Sequence, residues 1–200
     1  MKIVPQKVEI LSITAMPLEL IEECGRTCYQ SHDRITPGSE KRFAKMLINR
    51  GHESVLEHAN VTARFITDRA IANELTRHRH TSPSQESTRY VRYGDIEVVE
   101  PFPEADNPHA YHEWKMLCYS AETVYKNMLD LGATPEQARD VLPLSTKTEV
   151  VVTANIREWR HILRLRTSPA AHPKMRELMN MLLTQFMIYV PELFEDIKNV

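Results

Sequence analysis

The order of helical and strand patterns along the chain is the feature that most constrains its fold. Alternation of apolar residues or a β-branched run predicts four strands, at residues 6–14, 58–67, 95–100 and 146–153. Apolar residues three and four apart predict helices over 17–28, 40–50, 68–78, 108–131, the stretches after Thr134 and after Asn155, and 173–190. Helices outnumber strands and do not alternate regularly with them. We therefore predict an α+β fold, with a small antiparallel sheet covered by several helices.

Helix boundaries and domain count follow from local signals. Polar side chains that could cap a helix precede four of the predicted helices: Ser39, Asp68, Thr134 and Asn155. Thr134 is followed by Pro135 and Gln137, the pattern of a capping box, and Gly51 is expected to end the helix over 40–50. No repeat, low-complexity tract or linker divides the chain, so residues 1–200 are interpreted as a single domain.

Composition argues against several classes of protein. A net charge of −2 and a pI near 6.5 argue against a general nucleic-acid binder. There is no run of 18 apolar residues and residues 1–7 lack an apolar signal core, so we expect neither a membrane span nor export, but a cytoplasmic protein. The three cysteines, Cys24, Cys28 and Cys118, are expected to be free thiols.

Residues 77–90 form an unusually basic segment. They contain three arginines and two histidines among several hydroxyl side chains. Guanidinium groups bind phosphate and carboxylate through paired hydrogen bonds. The chain has five glycines and lacks both G-x-G-x-x-G and a P-loop, so side chains must hold any nucleotide that binds. A solvated basic loop is the alternative interpretation of this segment taken alone.

A second polar cluster occupies residues 51–58. It contains His52 and His58 together with Glu53 and Glu57. A zinc motif of the metalloprotease type needs its histidines four apart on a helix, and these are six apart. We therefore predict no metal site. The alternative roles for the cluster are hydrogen bonds to a polar heterocycle and structural hydrogen bonds, and the structural role is favoured for Glu57 and His58.

The helix predicted after Asn155 has one basic face and one apolar face. Arg157, His161 and Arg164 are spaced to share a face. The apolar face ends at Arg166, and a buried arginine needs an anion or another polar partner. That partner is either a ligand or an internal carboxylate. Taken alone, Arg139 is interpreted as a surface residue and His172 as a helix cap or surface histidine.

Five ordered motifs together resemble the flavin-dependent thymidylate synthases. Gly-Arg-x-Cys-Tyr-x-Ser occupies residues 25–31, and Gly-His-x-Ser-x-x-Glu-His occupies residues 51–58. Arg-His-Arg-x7-Ser-x-Arg-Tyr, the diagnostic signature of that family, occupies residues 77–90. Ala-Arg-x-Val-Leu-Pro and Asn-x-Arg-x-Trp-Arg-His occupy residues 138–143 and 155–161. The match runs through most of the chain.

The resemblance implies a homotetramer that binds FAD, dUMP, 5,10-methylenetetrahydrofolate and NADPH. In that family a methylene group passes from the folate to C5 of the uracil, and a hydride from reduced flavin completes the methyl group. The resemblance also implies that each active site is shared between protomers. Because flavin supplies the redox chemistry, no protein nucleophile is expected.

The resemblance assigns site residues position by position. Residues similar to FAD contacts are Ser54, Arg77, His78, Arg79, Gln85, Asn155, Arg157 and His161. Residues similar to dUMP contacts are Glu74, Arg77, Gln85, Ser87, Arg89, Arg139 and Arg166. Arg166 is the expected catalytic residue, because C5 becomes nucleophilic only if negative charge can build on O4 and N3 of the uracil, and a guanidinium stabilises that charge.

The chain departs from the family pattern at a few positions. Many relatives have Glu where Gln85 stands and Asn where His161 stands, and Glu86 occupies a position expected to be apolar. We interpret these differences as variation within the family. Two alternative functions are a nucleic-acid-binding module that uses the basic loop and a flavin carrier without activity. The low aromatic content of 7% argues against the first, and the presence of Arg166 and Ser87 argues against the second.

Overall fold

The computed structural model describes residues 1–197. The helices are α1 (Pro17–Thr27), α2 (Ser39–Asn49), α3 (Arg69–Leu75), α4 (Pro108–Asp130), α5 (Pro135–Ala138), α6 (Ile156–Arg166) and α7 (Pro173–Tyr189). The strands are β1 (Lys2–Ile3), β2 (Lys7–Ile13), β3 (Asn60–Asp68), β4 (Ser82–Gln85), β5 (Glu97–Val98) and β6 (Lys147–Asn155). Short 3-10 helices lie at His32–Arg34, Glu53–His58, Glu104–Asp106, Arg139–Val141 and Pro191–Leu193.

The main sheet has four strands in the order β2-β3-β6-β4. Thr62 of β3 lies opposite Thr153 of β6, with their hydroxyl oxygens 2.8 Å apart, while the amide of Arg69 donates to the carbonyl of Thr146. Residue numbers along β3 therefore rise as those of their partners along β6 fall, so the two strands are antiparallel. A second, two-stranded sheet pairs β1 with β5 in parallel. The predicted α+β class, with a small antiparallel sheet and several helices, is confirmed.

The described residues form two compact units. The first consists of residues 1–7, 65–77 and 84–150, and the second of residues 8–64, 78–83 and the chain from residue 151. The single domain predicted for residues 1–200 stays a prediction.

The second unit has an aromatic and aliphatic core. Trp159 of α6 is fully buried, and its indole nitrogen donates to the carbonyl of Val61 at 3.0 Å. Phe186 of α7 stacks on Phe194 with ring centres 4.2 Å apart and planes 3° apart. Apolar residues of α7 and of the position just after it are also buried: Leu178, Leu182, Phe186 and Val190. Helix α6 is therefore packed on one side against the centre of this unit.

The first unit has its own core beneath helix α4. Its buried members are Ile96, Val98, Cys118, Tyr125, Leu129 and Ala138. The Thr134 capping box is present, with the hydroxyl accepting from the Gln137 amide and the Gln137 side chain accepting from the Thr134 amide. This pattern begins α5 immediately before Arg139, so a local sequence signal sets the position of a candidate site residue.

Two other predicted caps are confirmed and one is wrong. Asp68 and Asn155 each accept a hydrogen bond, at 2.8 Å, from the amide three residues later. Ser39 is instead the first residue of α2, because Gly38 adopts φ 80° and turns the chain before it. The Ser39 hydroxyl faces inward and donates to Glu22 at 2.6 Å.

Helix α3 ends earlier than predicted, at Leu75 and not near His78. The Thr76 hydroxyl donates to the carbonyl of Asn73, and the amide of Arg77 turns to the carbonyl of Glu74. The side chain thus occupies an acceptor that the next helical turn would have used.

The segment after α3, which belongs to neither a predicted helix nor a predicted strand, contains a further strand. Residues Ser82–Gln85 form β4 at the edge of the sheet, where Pro83 is tolerated because an edge strand need not donate on its outer side.

Gly25 of α1 packs tightly against Phe43 of α2. A Cβ added there would lie 2.5 and 2.7 Å from two ring carbons of Phe43. That ring is also held by the Arg26 guanidinium, 4.5 Å from its centre. We expect Gly25→Ala to lower the free energy of unfolding by about 1–2 kcal/mol, because overpacking outweighs the better helix propensity of alanine.

Urea unfolding measures the change in the free energy of unfolding caused by Gly25→Ala, with Gly94→Ala as the control. Gly94 has open space around its Cβ position and lacks a positive φ, so its substitution should be neutral or slightly stabilising. Equal effects of the two substitutions would contradict the packing argument.

Candidate active site

The predicted site residues divide between the two units. Most of the predicted cofactor residues are in the second unit: Ser54, His78, Arg79, Asn155, Arg157 and His161. Most of the predicted substrate residues are in the first unit: Glu74, Arg77, Gln85, Ser87, Arg89 and Arg139. Arg166, predicted to activate the substrate, is in the second unit and ends α6.

Helix α6 follows β6 without an intervening loop. Asn155 is the last residue of β6 and also the cap of α6, and the amide of Ile156 donates to the carbonyl of Ala59 at 2.9 Å. These bonds fix the amino-terminal end of the helix. Arg157, His161 and Arg164 are all exposed along one face, as predicted from their spacing.

That face borders a cavity of about 570 Å³ in the second unit. Its lining residues are Glu53, Glu57, His80, Asn155, Arg157, Glu158, His161 and Arg164. The cavity brings together three of the predicted cofactor residues. Its walls offer guanidinium, imidazole, amide and carboxylate groups, so it suits a polar ligand with both donors and acceptors.

A larger cavity of about 740 Å³ shares Glu53 and Arg157 with the first. It adds a fourth predicted cofactor residue, Ser54, and is also lined by His52. Its other lining residues include three arginines, Arg26, Arg34 and Arg50, and the rings of Tyr29 and Phe43. Several cations and two aromatic rings around one cavity are suited to an anionic ligand with a planar ring.

Acidic residues of the Glu53–His58 helix hold Arg157. Its Nη1 atom lies 2.5 Å from Glu57, and Glu53 lies 3.9 Å from its Nε atom. The hydrogen bond to Glu57 raises the pKa of Arg157. Arg157 is therefore held in place at the wall shared by both cavities. Its guanidinium stays protonated, so it can bind an anion there.

The fully buried arginine of α6 is Arg160, whereas Arg166, expected at the end of the apolar face, is half-buried. Arg160 is 0% exposed and makes two hydrogen bonds of 2.7 Å to the carboxylate of Asp196, with a further one to the carbonyl of Leu193. Arg160 follows Ile156 by four residues and precedes Leu163 by three, so helical spacing places it in the centre of the apolar face. That spacing was the signal in the sequence.

Arg166 is half-buried and contacts His78. Its Nε atom donates to Nε2 of the imidazole at 3.1 Å. The His78 ring is buried, Glu158 lies 3.9 Å from its Nδ1 atom, and the ring of His161 meets it edge to face at 6.3 Å. Burial, and then the charges of Arg166 and His161, lower the pKa of His78 to about 4. His78 is therefore neutral near pH 7.

In the first unit, arginines and hydroxyls of the predicted substrate set lie near one another. Arg139 Nη1 is 3.4 Å from the hydroxyl of Thr88, and Arg89 pairs with Glu136 at 2.8 Å. Ser87 Oγ accepts from the amide of Arg89 at 3.3 Å. Residues 87–89 thus lie beside Arg139, and an oxyanion there would meet guanidinium and hydroxyl donors.

The other predicted residues are placed as follows. Gln85 donates to Thr148 at 3.4 Å on the edge strand, Glu74 is half-buried, and Arg77 and Arg79 are both exposed. His172 caps α7 through Nδ1, which accepts from the amide of Lys174 at 3.2 Å, in agreement with its interpretation as a cap.

Glu86, which stands where an apolar residue was expected, has a structural explanation. It accepts hydrogen bonds from the Tyr93 hydroxyl at 2.6 Å and from Lys147 at 3.2 Å. Burial and the hydrogen bond to Glu86 raise the pKa of Tyr93. The polar partners thus compensate for a half-buried carboxylate.

Residues 1–197 contain neither a metal-binding cluster nor a membrane-spanning helix. Within that range no group of three or more histidine, cysteine, aspartate or glutamate side chains is arranged to hold a metal ion. None of the helices in the same range is both long and apolar enough to cross a membrane.

Known proteins resemble this chain in both sequence and fold. Residues 9–192 match the family described as thymidylate synthase complementing protein. The flavin-dependent thymidylate synthase of Mycolicibacterium gilvum is 35% identical over 198 residues, covering 90% of this chain and 79% of the relative. The enzyme of the same name from Mycolicibacterium vanbaalenii is 36% identical over 200 residues, covering 90% and 80%.

A solved structure shares the fold. The UMP/dUMP methylase PolB from Streptomyces cacaoi, bound with 5-Br dUMP, superposes with a TM-score of 0.85 at 24% identity, covering 98% of this chain and 96% of that one. At this identity the likeness supports the fold alone. With a family match over residues 9–192 and relatives about 35% identical along nine-tenths of its length, the chain belongs to the flavin-dependent thymidylate synthase family.

Proposed function

We propose that this chain is a flavin-dependent thymidylate synthase. It converts dUMP to dTMP by reductive methylation, with 5,10-methylenetetrahydrofolate as the carbon donor and NADPH as the source of electrons for FAD. The observation that carries the proposal is the pair of cavities beside α6, which brings together four residues assigned to FAD: Ser54, Asn155, Arg157 and His161. The names of the relatives support the same activity.

The residues of the second unit fit FAD in chemistry and in size. Both cavities are within the roughly 300–1,000 Å³ usual for ligand pockets. Arg157 at their shared wall would bind a phosphate oxygen of the cofactor through its fork of donors. Asn155 uses its Oδ1 atom to cap α6, so its amide nitrogen would be the group that meets a ligand.

Bound FAD would supply the hydride chemistry, and the protein would orient and polarise the reactants. Arg166 would be the polarising residue. Its guanidinium, whose Nε donates to His78, would meet O4 and N3 of the uracil. Charge that builds on these atoms as C5 attacks is then stabilised by a guanidinium that does not lose a proton.

The phosphate end of dUMP would be held by residues 87–89 and Arg139. Its phosphate is a dianion, which Arg89, Arg139 and the Ser87 hydroxyl are suited to bind. The remaining assigned residues, Glu74, Arg77 and Gln85, would border the same substrate.

No protein nucleophile is needed in this scheme. Cys118 is buried, and burial raises the pKa of its thiol, which makes it a poor nucleophile near pH 7. Cys24 and Cys28 are free thiols in or next to α1. The cysteines are therefore not assigned a step.

Several finer features belong to the same proposal. The working enzyme would be a homotetramer with sites shared between protomers, the whole chain would act as one domain, and the protein would be cytoplasmic. The membership of the chain in the family supports these features.

An absorbance spectrum of the purified protein tests the proposal, with FAD added back if the protein is colourless. We expect flavin bands that bleach with NADPH, and faster when dUMP is present, followed by dTMP formation once the folate is added. Failure to bind FAD at micromolar concentration would overturn the assignment. Binding and bleaching without dTMP would indicate a flavin carrier instead of a synthase.

A further inference from the structure

The contact between His78 and Arg166 defines which ring nitrogen of His78 carries the proton. Arg166 Nε donates to Nε2 of the ring, so Nε2 must be unprotonated. A neutral imidazole then carries its single proton on Nδ1. Nδ1 faces the carboxylate of Glu158 at 3.9 Å, which favours a proton on that nitrogen. The groups facing the ring are thus Arg166, Glu158 and His161, all on α6.

The protein itself already engages one ring nitrogen of His78. Nε2 accepts from Arg166, Nδ1 lies 3.9 Å from Glu158, and the side chain is only 7% exposed. The assignment of His78 to FAD rests on similarity, whereas its contacts within the protein join it to the residue proposed to polarise the substrate.

The neutral state of His78 has a consequence for Arg166. A carboxylate in its place would orient the guanidinium equally well, but would also neutralise the positive charge that the reaction needs. A neutral acceptor helps to orient the guanidinium and adds no negative charge beside it. The buried surroundings preserve this state, because they disfavour protonation of the ring.

We propose that His78 is a positioning residue, which holds the Arg166 guanidinium through Nε2 and carries its own proton on Nδ1, on the side of Glu158. The inference rests on the proposed function, because it takes Arg166 as the group that stabilises charge on the uracil. It assigns His78 an action through Arg166 and not through the flavin.

Two substitutions of His78 test the proposal. His78→Leu removes the acceptor, and we expect kcat for dTMP formation to fall by about 10- to 100-fold, with a much smaller change in the KM for dUMP and in the Kd for FAD. His78→Gln supplies an amide oxygen for Arg166 and an amide nitrogen toward Glu158, so it should recover a large part of that loss.

The comparison has two outcomes that would overturn the proposal. Equal kcat values for the two variants would show that the acceptor is not what matters. A Kd for FAD that rises by tenfold or more in both variants, with kcat unchanged at saturating FAD, would assign His78 to the flavin. Thermal unfolding of both proteins separates either result from a general loss of structure.

A nitrogen-15 NMR spectrum of the histidine rings tests the contact without any catalysis. His78 is assigned as the signal missing from the His78→Gln protein, and at pH 7 we expect Nε2 unprotonated and Nδ1 protonated. A charged ring or the opposite tautomer would overturn the inference. A wild-type protein with the expected tautomer that forms no dTMP would instead contradict the proposed function and leave the positioning contact supported.

Discussion

Replacement of Arg166 by alanine is expected to reduce dTMP formation by about 100- to 1,000-fold while flavin binding is retained. The guanidinium is the group proposed to stabilise charge on the uracil, and loss of one such donor has effects of this size in other enzymes. Arg166 is half-buried at the end of α6, and neither of the cavities assigned to FAD includes it in its lining. The effect should therefore appear in turnover, measured as dTMP formed at saturating FAD and dUMP.

Arg42→Ala provides a matched control for the loss of one arginine. Arg42 is an exposed residue of α2 and borders neither cavity. Both variants should bleach the flavin bands on reduction, and only Arg166→Ala should fail to form dTMP. Near-normal turnover by Arg166→Ala would contradict the assigned role, and a loss of bound flavin in that variant would place Arg166 in the cofactor site.

The largest expected effect on stability comes from Asp196. Its carboxylate binds the fully buried Arg160 through two hydrogen bonds and also lies 3.2 Å from Arg164. Burial raises the pKa of Asp196, but the hydrogen bonds and charge of Arg160 lower it below its ordinary value overall. Asp196→Asn removes the negative charge and leaves Arg160 in the interior with weaker partners.

We expect Asp196→Asn to lower the free energy of unfolding by about 2 kcal/mol. Breaking a fully buried ion pair has a larger effect, about 3–5 kcal/mol. The smaller value allows for the 38% exposure of Asp196 and for Glu53, which remains 3.8 Å from Arg160. Urea unfolding at neutral pH measures the change.

The neighbouring acid offers a control one residue away. Glu195 pairs with Lys45 at 2.8 Å, and both side chains are 46% exposed, so Glu195→Gln should change stability by no more than about 0.5 kcal/mol. Similar losses for the two substitutions would indicate a general effect of charge near the carboxyl end. Only a clear difference supports the role of the buried arginine.

Much of the fold was predictable because its signals are local. The helices over α1, α4 and α7 follow apolar spacing, and the caps at Asp68, Thr134 and Asn155 need only residues within three positions of each other. Strands without alternation, β1 and β4, were missed. They are short edge segments that owe their conformation to a neighbouring strand.

Long-range pairing accounts for what could not be predicted at the site. The partner of Arg160 is 36 residues away, and the partner of Arg166 is 88 residues away. The spacing of α6 already indicated a central place for Arg160, yet nothing near His78 in the sequence distinguishes a buried imidazole from its exposed neighbours Arg77 and Arg79. The ordered motifs identified the family, while the roles of individual residues stay predictions.

Helix α6 combines a stabilising role on one face with a proposed cofactor-binding role on the other. Its inner face is anchored by the Arg160–Asp196 pair, and its outer face presents Arg157 and His161 to the cavities assigned to the cofactor. A substitution that shifts this helix to improve packing also moves the groups that would hold the flavin. In variants selected only for heat resistance, substitutions should therefore accumulate outside α6. Stabilising substitutions within α6 should lower the activity.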